Sequence, residues 1–488
     1  MPSHRFSSSK ESLSSPGSST LHLAKPSRYS FFTEFARSSI LSVLQSAIST
    51  GYLEVEDYDE TFRFGNPKSV SNSVHLRVNS GKFWTRVFSS GDLGFSEAYM
   101  IGEVEVENLK AIMDVSNGYR SPGPFPPLAR LLLMHMHGLT CLRPHPHRLR
   151  FQLWLDNQST MSAIHSLYSR LAAAFSGLRN AFFGQTRSRA RLNVIASYDQ
   201  SNELFKAFLS KEMMYSTALW GDEEGGVRGD LMHGPTPNDL EAAQQRKIHH
   251  VLKTARVKPG DRLLEFGTGW GGLAIEAAAS YGCEVDTLTL SVEQKELAEE
   301  RVRERGLEGR VRVHLMDYRD IPPEFENAFD AFVSIEMLEH VGSKYYKKYF
   351  EIVDYALKPT AATIVVTCST FPEGRYSNYH ATVLIDAAYD ASKGRFTLEG
   401  VENHAPHYPR TLRTWDRRLK ANLHRETMVQ RYPALKDDAT YLSFLRKWEY
   451  LFAYAGAGFA KGYITCHMLT FVRASTPPSQ SDVTAACD

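Results

Sequence analysis

The residues that most restrict how this 488-residue chain can fold are Leu263–Leu273, LLEFGTGWGGL. Leu263 and Leu264 close an apolar run that reads as a buried parallel strand. Glu265 stands at its carboxyl end, and Gly267, Gly269, Gly271 and Gly272 follow, interleaved with Thr268 and Trp270. So many glycines at this spacing predict a tight turn, and LAIEAAASYG after it predicts a helix packed back on the sheet. Such a turn brings the backbone close to a ligand, and the helix N-terminus offers it unpaired N–H groups.

Gly267, Gly269 and Gly272 satisfy G-x-G-x-x-G, a pattern also found in dinucleotide sites and in purely structural turns. Two details favour S-adenosylmethionine (SAM). An acid, Glu265, precedes the first glycine by two residues, where a carboxylate can meet the ammonium of a methionine moiety. The next strand ends in TLSVEQ (Thr289, Leu290, Ser291, Gln294) and carries no acid suited to a ribose.

Strands and helices alternate after the turn. Strand Cys283–Leu290, helix Val292–Arg305, strand Val311–Leu315, strand Ala331–Ile335 and helix Tyr345–Leu357 lead to a fifth strand in KPTAATIVVTCST. A helix at Asp239–Leu252 precedes them. This order predicts an α/β fold, a doubly wound parallel sheet of Rossmann-like type. Its ligand groups should gather at the strand carboxyl ends, at Glu265, Thr289, Asp317 and Glu339.

The chain before that domain reads differently. Residues 1–28 are Ser-rich and predict a disordered tail, as do residues 476–488. Residues 29–190 predict a smaller α+β domain ahead of the main domain at 191–475. Phe31–Gly51 has helical spacing, while Leu53–Phe64 and Val74–Phe88 alternate, so VHLRV and FWTRVF predict neighbouring strands. GDLGFSEAYMIGEVEVENL reads as a turn and a helix. Val115–Gln152 is rich in Pro, His and Arg and interrupts a helical pattern, which predicts a loop insertion. Met161–Phe183 is helical in pattern.

A net charge of +1 predicts no nucleic-acid partner. Five scattered cysteines lack zinc-like spacing and predict free thiols in a reducing compartment. His145 and His147 have no partner ligands, so no metal site is expected. The longest apolar run, around Leu128–Met134, is too short to cross a bilayer, which leaves peripheral membrane contact. The N-terminus shows no Arg-rich amphipathic helix, which favours a cytoplasmic protein over a mitochondrial one.

The ordered set YDQSNELF, MMYSTALW, LEAAQQRK, LLEFGTGWGGLA, TLSVEQ, DYRD, EHVG and HYPRTL resembles the cyclopropane-fatty-acyl-phospholipid synthase family, which includes the mycolic acid cyclopropane synthases. The resemblance covers most of Ala196–Arg473, and GDLGFSEAYMIGEVEVENL resembles the bacterial N-terminal domain. It implies SAM-binding roles for Tyr215 and Ser216, for the turn, and for Thr289–Gln294, with Tyr318 and Arg319 near the adenine. It implies methyl transfer to a cis double bond in a lipid acyl chain, with ring closure as a bound bicarbonate takes a proton. Glu339 matches the family glutamate and Tyr408 its tyrosine. Thr217 stands at the family cysteine, Val366 at its histidine, Cys368 at its isoleucine and Ala455 near a later cysteine. After Phe371–His380 the chain lacks a lipid-facing segment usual in the family. The departures leave two other products of the same ancestry open: a lipid methyltransferase that leaves a methyl or methylene branch, and an inactive SAM- or lipid-binding homologue.

Overall fold

The computed structural model describes residues 29–48, 51–58, 60–66, 73–107, 201–372 and 380–473. Both expected tails, the 115–152 insertion and the helix expected at Met161–Phe183 lie outside the described residues.

The N-terminal unit is α+β in its described part. Helix α1 (Phe31–Ala47) starts at Ser30, whose hydroxyl accepts from the Thr33 N–H at 3.3 Å. It buries Ala36, Ile40 and Leu44. Strands β1 (Tyr52–Asp57), β2 (Glu60–Gly65), β3 (Ser73–Val78) and β4 (Val104–Val106) form a sheet in the order β2-β1-β3-β4. Two expectations are corrected here. Leu53–Phe64 is a hairpin, because Tyr58 turns the chain at a φ of 54°. FWTRVF is helical and belongs to α2 (Lys82–Ile101). Its apolar positions Phe83, Trp84 and Val87 share one helix face and are all buried. Gly91, at a φ of 56°, kinks α2.

The larger unit holds β5 (Arg262–Phe266), β6 (Glu284–Thr289), β7 (Val311–Leu315), β8 (Ala331–Ile335), β9 (Thr363–Thr370), β10 (Phe396–Asn403) and β11 (Thr465–Arg473). Their order is β10-β11-β9-β8-β5-β6-β7. The expected parallel sheet spans β5 to β9, and β11 and β10 extend it in antiparallel fashion. The chain leaves β5 in both directions, so the crevice between the ends of β5 and β8 is the place for a ligand.

Helices cover this sheet: α3 (Asn202–Phe208), α4 (Gly229–Met232), α5 (Asp239–Thr254), α6 (Gly272–Tyr281), α7 (Val292–Glu304), α8 (Leu338–Val341), α9 (Tyr346–Ala356), α10 (Ala381–Ser392), α11 (Tyr408–Asn422), α12 (Arg425–Arg431) and α13 (Asp438–Ala460). Helices α3, α11 and α13 pack together, and α2 of the first unit docks on α13. There the Tyr99 hydroxyl donates to Glu449 at 2.9 Å. One continuous core of buried residues therefore links the two units.

The start of α11 is held from below by Asp230. Its buried carboxylate accepts from Arg413 at 2.6 and 2.8 Å and from Arg417 at 2.9 Å. Burial would raise this carboxyl, but the two guanidiniums outweigh it and hold it down at about 2. Asp230→Ala should cost about 1.5–3 kcal/mol, because it removes charge-assisted hydrogen bonds whose partners Arg413 and Arg417 keep some solvent contact. Chemical denaturation measures this, and a loss under 1 kcal/mol would refute it. A carboxyl held down stabilises the fold above its ordinary range, so this contribution fades only as pH falls towards 2.

Candidate active site

The glycine turn lies where expected, at the end of β5. Gly267 and Gly269 have φ values of 96° and 52°, and Gly271 stands at 82° before α6. The N–H groups of Gly267 and Thr268 both donate to Leu288 O at 3.0 Å, which ties the turn to β6. A side chain on Gly269 would meet no atom within 4 Å, so its outer face is open to a ligand. Gly272 is the opposite case: a Cβ there would lie 2.3 Å from Glu212 O and 2.9 Å from Met214 Sδ. Gly272→Ala should push the 212–216 segment off the turn, lowering both melting temperature and SAM affinity, the latter at least about tenfold. Unchanged values in thermal melts and SAM titration would refute this contact.

Glu265 is buried, and its Oε2 accepts from the Thr287 hydroxyl at 2.6 Å. That hydroxyl lies 2.8 Å from the hydroxyl of Thr268. Burial pushes the Glu265 carboxyl up to about 8 against this hydrogen bond. A buried acid with no cation paired to it among the described residues fits a ligand that carries an ammonium, and with the open turn it fits SAM.

TLSVEQ forms the end of β6 and the cap of α7. The Ser291 hydroxyl accepts from the Gln294 N–H at 3.2 Å, and the Thr289 hydroxyl donates to Gln294 Oε1 at 2.7 Å. Leu290 is half-buried between them. Tyr318 follows β7 and packs on Phe266 at 5.5 Å and Tyr349 at 5.4 Å, while Arg319 pairs with Asp317. The Trp270 side chain is committed to packing: its ring lies 4.7 Å from that of Phe205 and its Nε1 donates to Asn202 at 2.7 Å. Tyr215 stacks on Trp415 at 5.2 Å, and Ser216 accepts a hydrogen bond from Lys247.

Beyond the turn, the ends of β8, β9 and β11 enclose a buried polar cluster. Glu339, in α8, accepts from the Ser369 N–H at 3.3 Å, and its Oε2 has no hydrogen-bond partner among the described residues. Burial first, and then Glu336, push its carboxyl up to about 8. The structure does not join Tyr408 to Glu339. The Tyr408 hydroxyl donates to Glu336, and its ring stacks on Phe459 at 3.9 Å. Glu336 also accepts from the Thr217 N–H at 2.9 Å, and the Cys466 thiol lies 3.8 Å from the same oxygen.

Sequence reasoning missed Glu336, Cys466 and Lys247. Lys247 is 1% exposed, and burial pulls its ammonium down to about 8 while Glu336 pushes it back up. A signal was available, because Leu240, Ala243, Lys247 and Val251 share the buried stripe of α5. Cys283, Cys368 and Cys466 are free and buried, as expected for thiols.

No metal set was expected. Among the described residues, His250, Glu402 and His404 bring three ligand-type atoms within 4.8 Å of one another. His250 Nε2 lies 2.8 Å and His404 Nε2 3.2 Å from the same Glu402 oxygen. Their hydrogen bonds hold the Glu402 carboxyl down at about 2.

Tuberculostearic acid methyltransferase UfaA1 of Mycobacterium tuberculosis is 31% identical over 410 residues, which are 80% of this chain and 81% of that one. The chain belongs to the mycolic acid cyclopropane synthetase family. The family profile matches residues 185–384. Within it, a cyclopropane-fatty-acyl-phospholipid synthase of Escherichia coli is 30% identical over 374 residues, 74% of this chain and 80% of that one. The solved structure of the mycolic acid cyclopropane synthase CmaA1, complexed with SAH and CTAB, is 26% identical. It covers 58% of this chain and 97% of its own, at a TM-score of 0.45. As a member of this family the protein is a SAM-dependent methyltransferase. The residues of the turn, Thr289–Gln294 and the Tyr215–Ser216 segment are those that would hold SAM.

Proposed function

We propose that this methyltransferase adds a methyl carbon to a cis double bond of an unsaturated phospholipid acyl chain and closes a cyclopropane ring. The observation that carries this reading is the buried cluster of Glu336, Glu339 and Tyr408 beside the glycine turn. SAM, when bound, supplies an electrophilic methyl group. The alkene is a weak nucleophile, so the protein's part is to position it and exclude water. Tyr408, Phe459, Cys368 and Cys466 are all buried around the carboxyl groups, a setting that suits an apolar acyl chain and a proton-accepting group. The E. coli relative's name as a phospholipid cyclopropane synthase supports the same substrate class.

The test is incubation with labelled SAM and vesicles of unsaturated phospholipid, followed by mass spectrometry and NMR of the acyl chains. A gain of one CH₂ that resists hydrogenation and shows ring protons is expected. A product that takes up hydrogen would indicate a methylene branch, the second reading, which the similarity to the tuberculostearic acid methyltransferase favours. SAM binding without any lipid product would reject both.

No helix among the described residues is long and apolar enough to cross a membrane. We propose that the enzyme works from the cytoplasm at the bilayer surface. Co-sedimentation with vesicles should retain it, and full recovery in the supernatant would count against this.

A further inference from the structure

Glu336 follows β8 in a left-handed conformation, at a φ of 51°, that few residues other than glycine adopt. Its own N–H donates to Thr367 O at 2.9 Å and lies 3.0 Å from the Thr367 hydroxyl, which locks this turn. The turn sends the carboxylate into the buried cluster, where Oε1 accepts from the Thr217 N–H and Oε2 from the Tyr408 hydroxyl. Thr217 and Tyr408 are two of the positions that the family resemblance assigns to a bicarbonate site. Both donors are already engaged by Glu336, and an anion placed between them would overlap its carboxylate. Of the other positions, Val366 is fully buried and has no polar side-chain atom, and Glu339 adds a second buried carboxyl group whose negative charge would oppose a further anion. The residues present do not fit a bound bicarbonate.

We infer that Glu336 is the enzyme's own proton acceptor, seated where relatives of this family would hold an exogenous anion. This rests on the methyl-addition reading above. Once the double bond has gained its methyl carbon, the neighbouring carbon is cationic. A Glu336 oxygen takes one hydrogen of that methyl group as a proton. The released C–H electron pair forms the second ring bond and quenches the cation, and the proton stays on the carboxyl group until it passes to solvent. Burial raises the Glu336 carboxyl, which makes it a stronger proton acceptor once ionised, while Tyr408 and Thr217, which orient it, and the nearby charge of Lys247 act against that rise.

Glu336→Gly is the informative variant, because glycine accepts a φ of 51° without strain and vacates the carboxylate's place. In bicarbonate-free buffer the wild type should keep its full turnover, while Glu336→Gly should lose at least about 100-fold. Added bicarbonate should restore part of the variant's activity and leave the wild type unchanged. Titration with ¹³C-bicarbonate followed by NMR should show saturable binding to Glu336→Gly and none to the wild type. Glu336→Gln keeps the packing and should be inactive without rescue, which covers the case in which the glycine variant does not fold. Loss of wild-type turnover on removing bicarbonate, or saturable bicarbonate binding by the wild type, would overturn the inference. A wild type that makes no lipid product would defeat the methyl-addition reading, and the bicarbonate titration would still decide who occupies the site.

Discussion

Glu265→Ala is expected to weaken SAM binding by about 1.5–3 kcal/mol, a factor of roughly ten to more than a hundred. The carboxyl is buried at the end of β5, where it accepts from the Thr287 hydroxyl, and burial raises it to about 8. At pH 7 the free protein therefore carries a proton there. Binding a ligand ammonium favours the carboxylate and expels that proton. Affinity should rise with pH up to about 8, as the cost of deprotonating Glu265 disappears, and fall above it as the ligand's own α-amino group, near 7.7–8.0, loses its charge. Calorimetry in buffers of different ionisation enthalpy should register the released proton in the wild type and not in the variant. Equal affinity, or equal proton release, would remove Glu265 from the site. The shift also bears on the unliganded fold. A carboxyl whose folded value is raised favours the folded state below its ordinary range, so this stabilisation fades as pH climbs from about 4.5 to about 8. SAM should restore it, visible as a larger ligand-induced rise in melting temperature at pH 8 than at pH 6.

Glu339→Gln and Tyr408→Phe should each lower turnover on an unsaturated phospholipid by about 100-fold, with SAM affinity near wild type. The SAM-holding residues lie on the glycine turn, at the end of β6 and at Tyr215–Ser216, and neither Glu339 nor Tyr408 is among them. Glutamine keeps the Ser369 contact of Glu339 but removes its ionisation. Phenylalanine keeps the stack on Phe459 and deletes only the hydroxyl that serves Glu336. That deletion removes a hydrogen bond favouring the ionised Glu336, so the acid limb of the pH–turnover profile should move to higher pH in Tyr408→Phe. Lys247, His404 and Glu339 act on the same carboxyl and remain in the variant. A purely structural role would instead lower melting temperature and SAM affinity together. Wild-type turnover in both variants would exclude them from the chemistry.

What could be read from the chain alone was whatever depends on local pattern. The LLEFGTGWGGL turn, the strands β5 to β9 and the helices between them follow from short-range rules: apolar runs for buried strands, glycines for positive φ, and serine as the cap of α7. FWTRVF misled because it is short and rich in aromatic and β-branched residues, whereas its apolar pairs Phe83–Trp84 and Val87–Phe88 recur four residues apart, a helical spacing that packing on α1, α13 and β4 holds. The proton-handling cluster was beyond such rules. Thr217, Lys247, Glu336, Tyr408 and Cys466 are spread over 250 positions and meet only because α5, α11, β8 and β11 converge on one point. A motif matched position by position pointed to Glu339 and Tyr408 as two members of one site. Three-dimensional distance gave that place to Glu336, since the left-handed turn after β8 swings its carboxylate across to the phenol. Sequence spacing carries the shape of a turn or a helix face, whereas which buried acid meets which donor depends on contacts between distant segments.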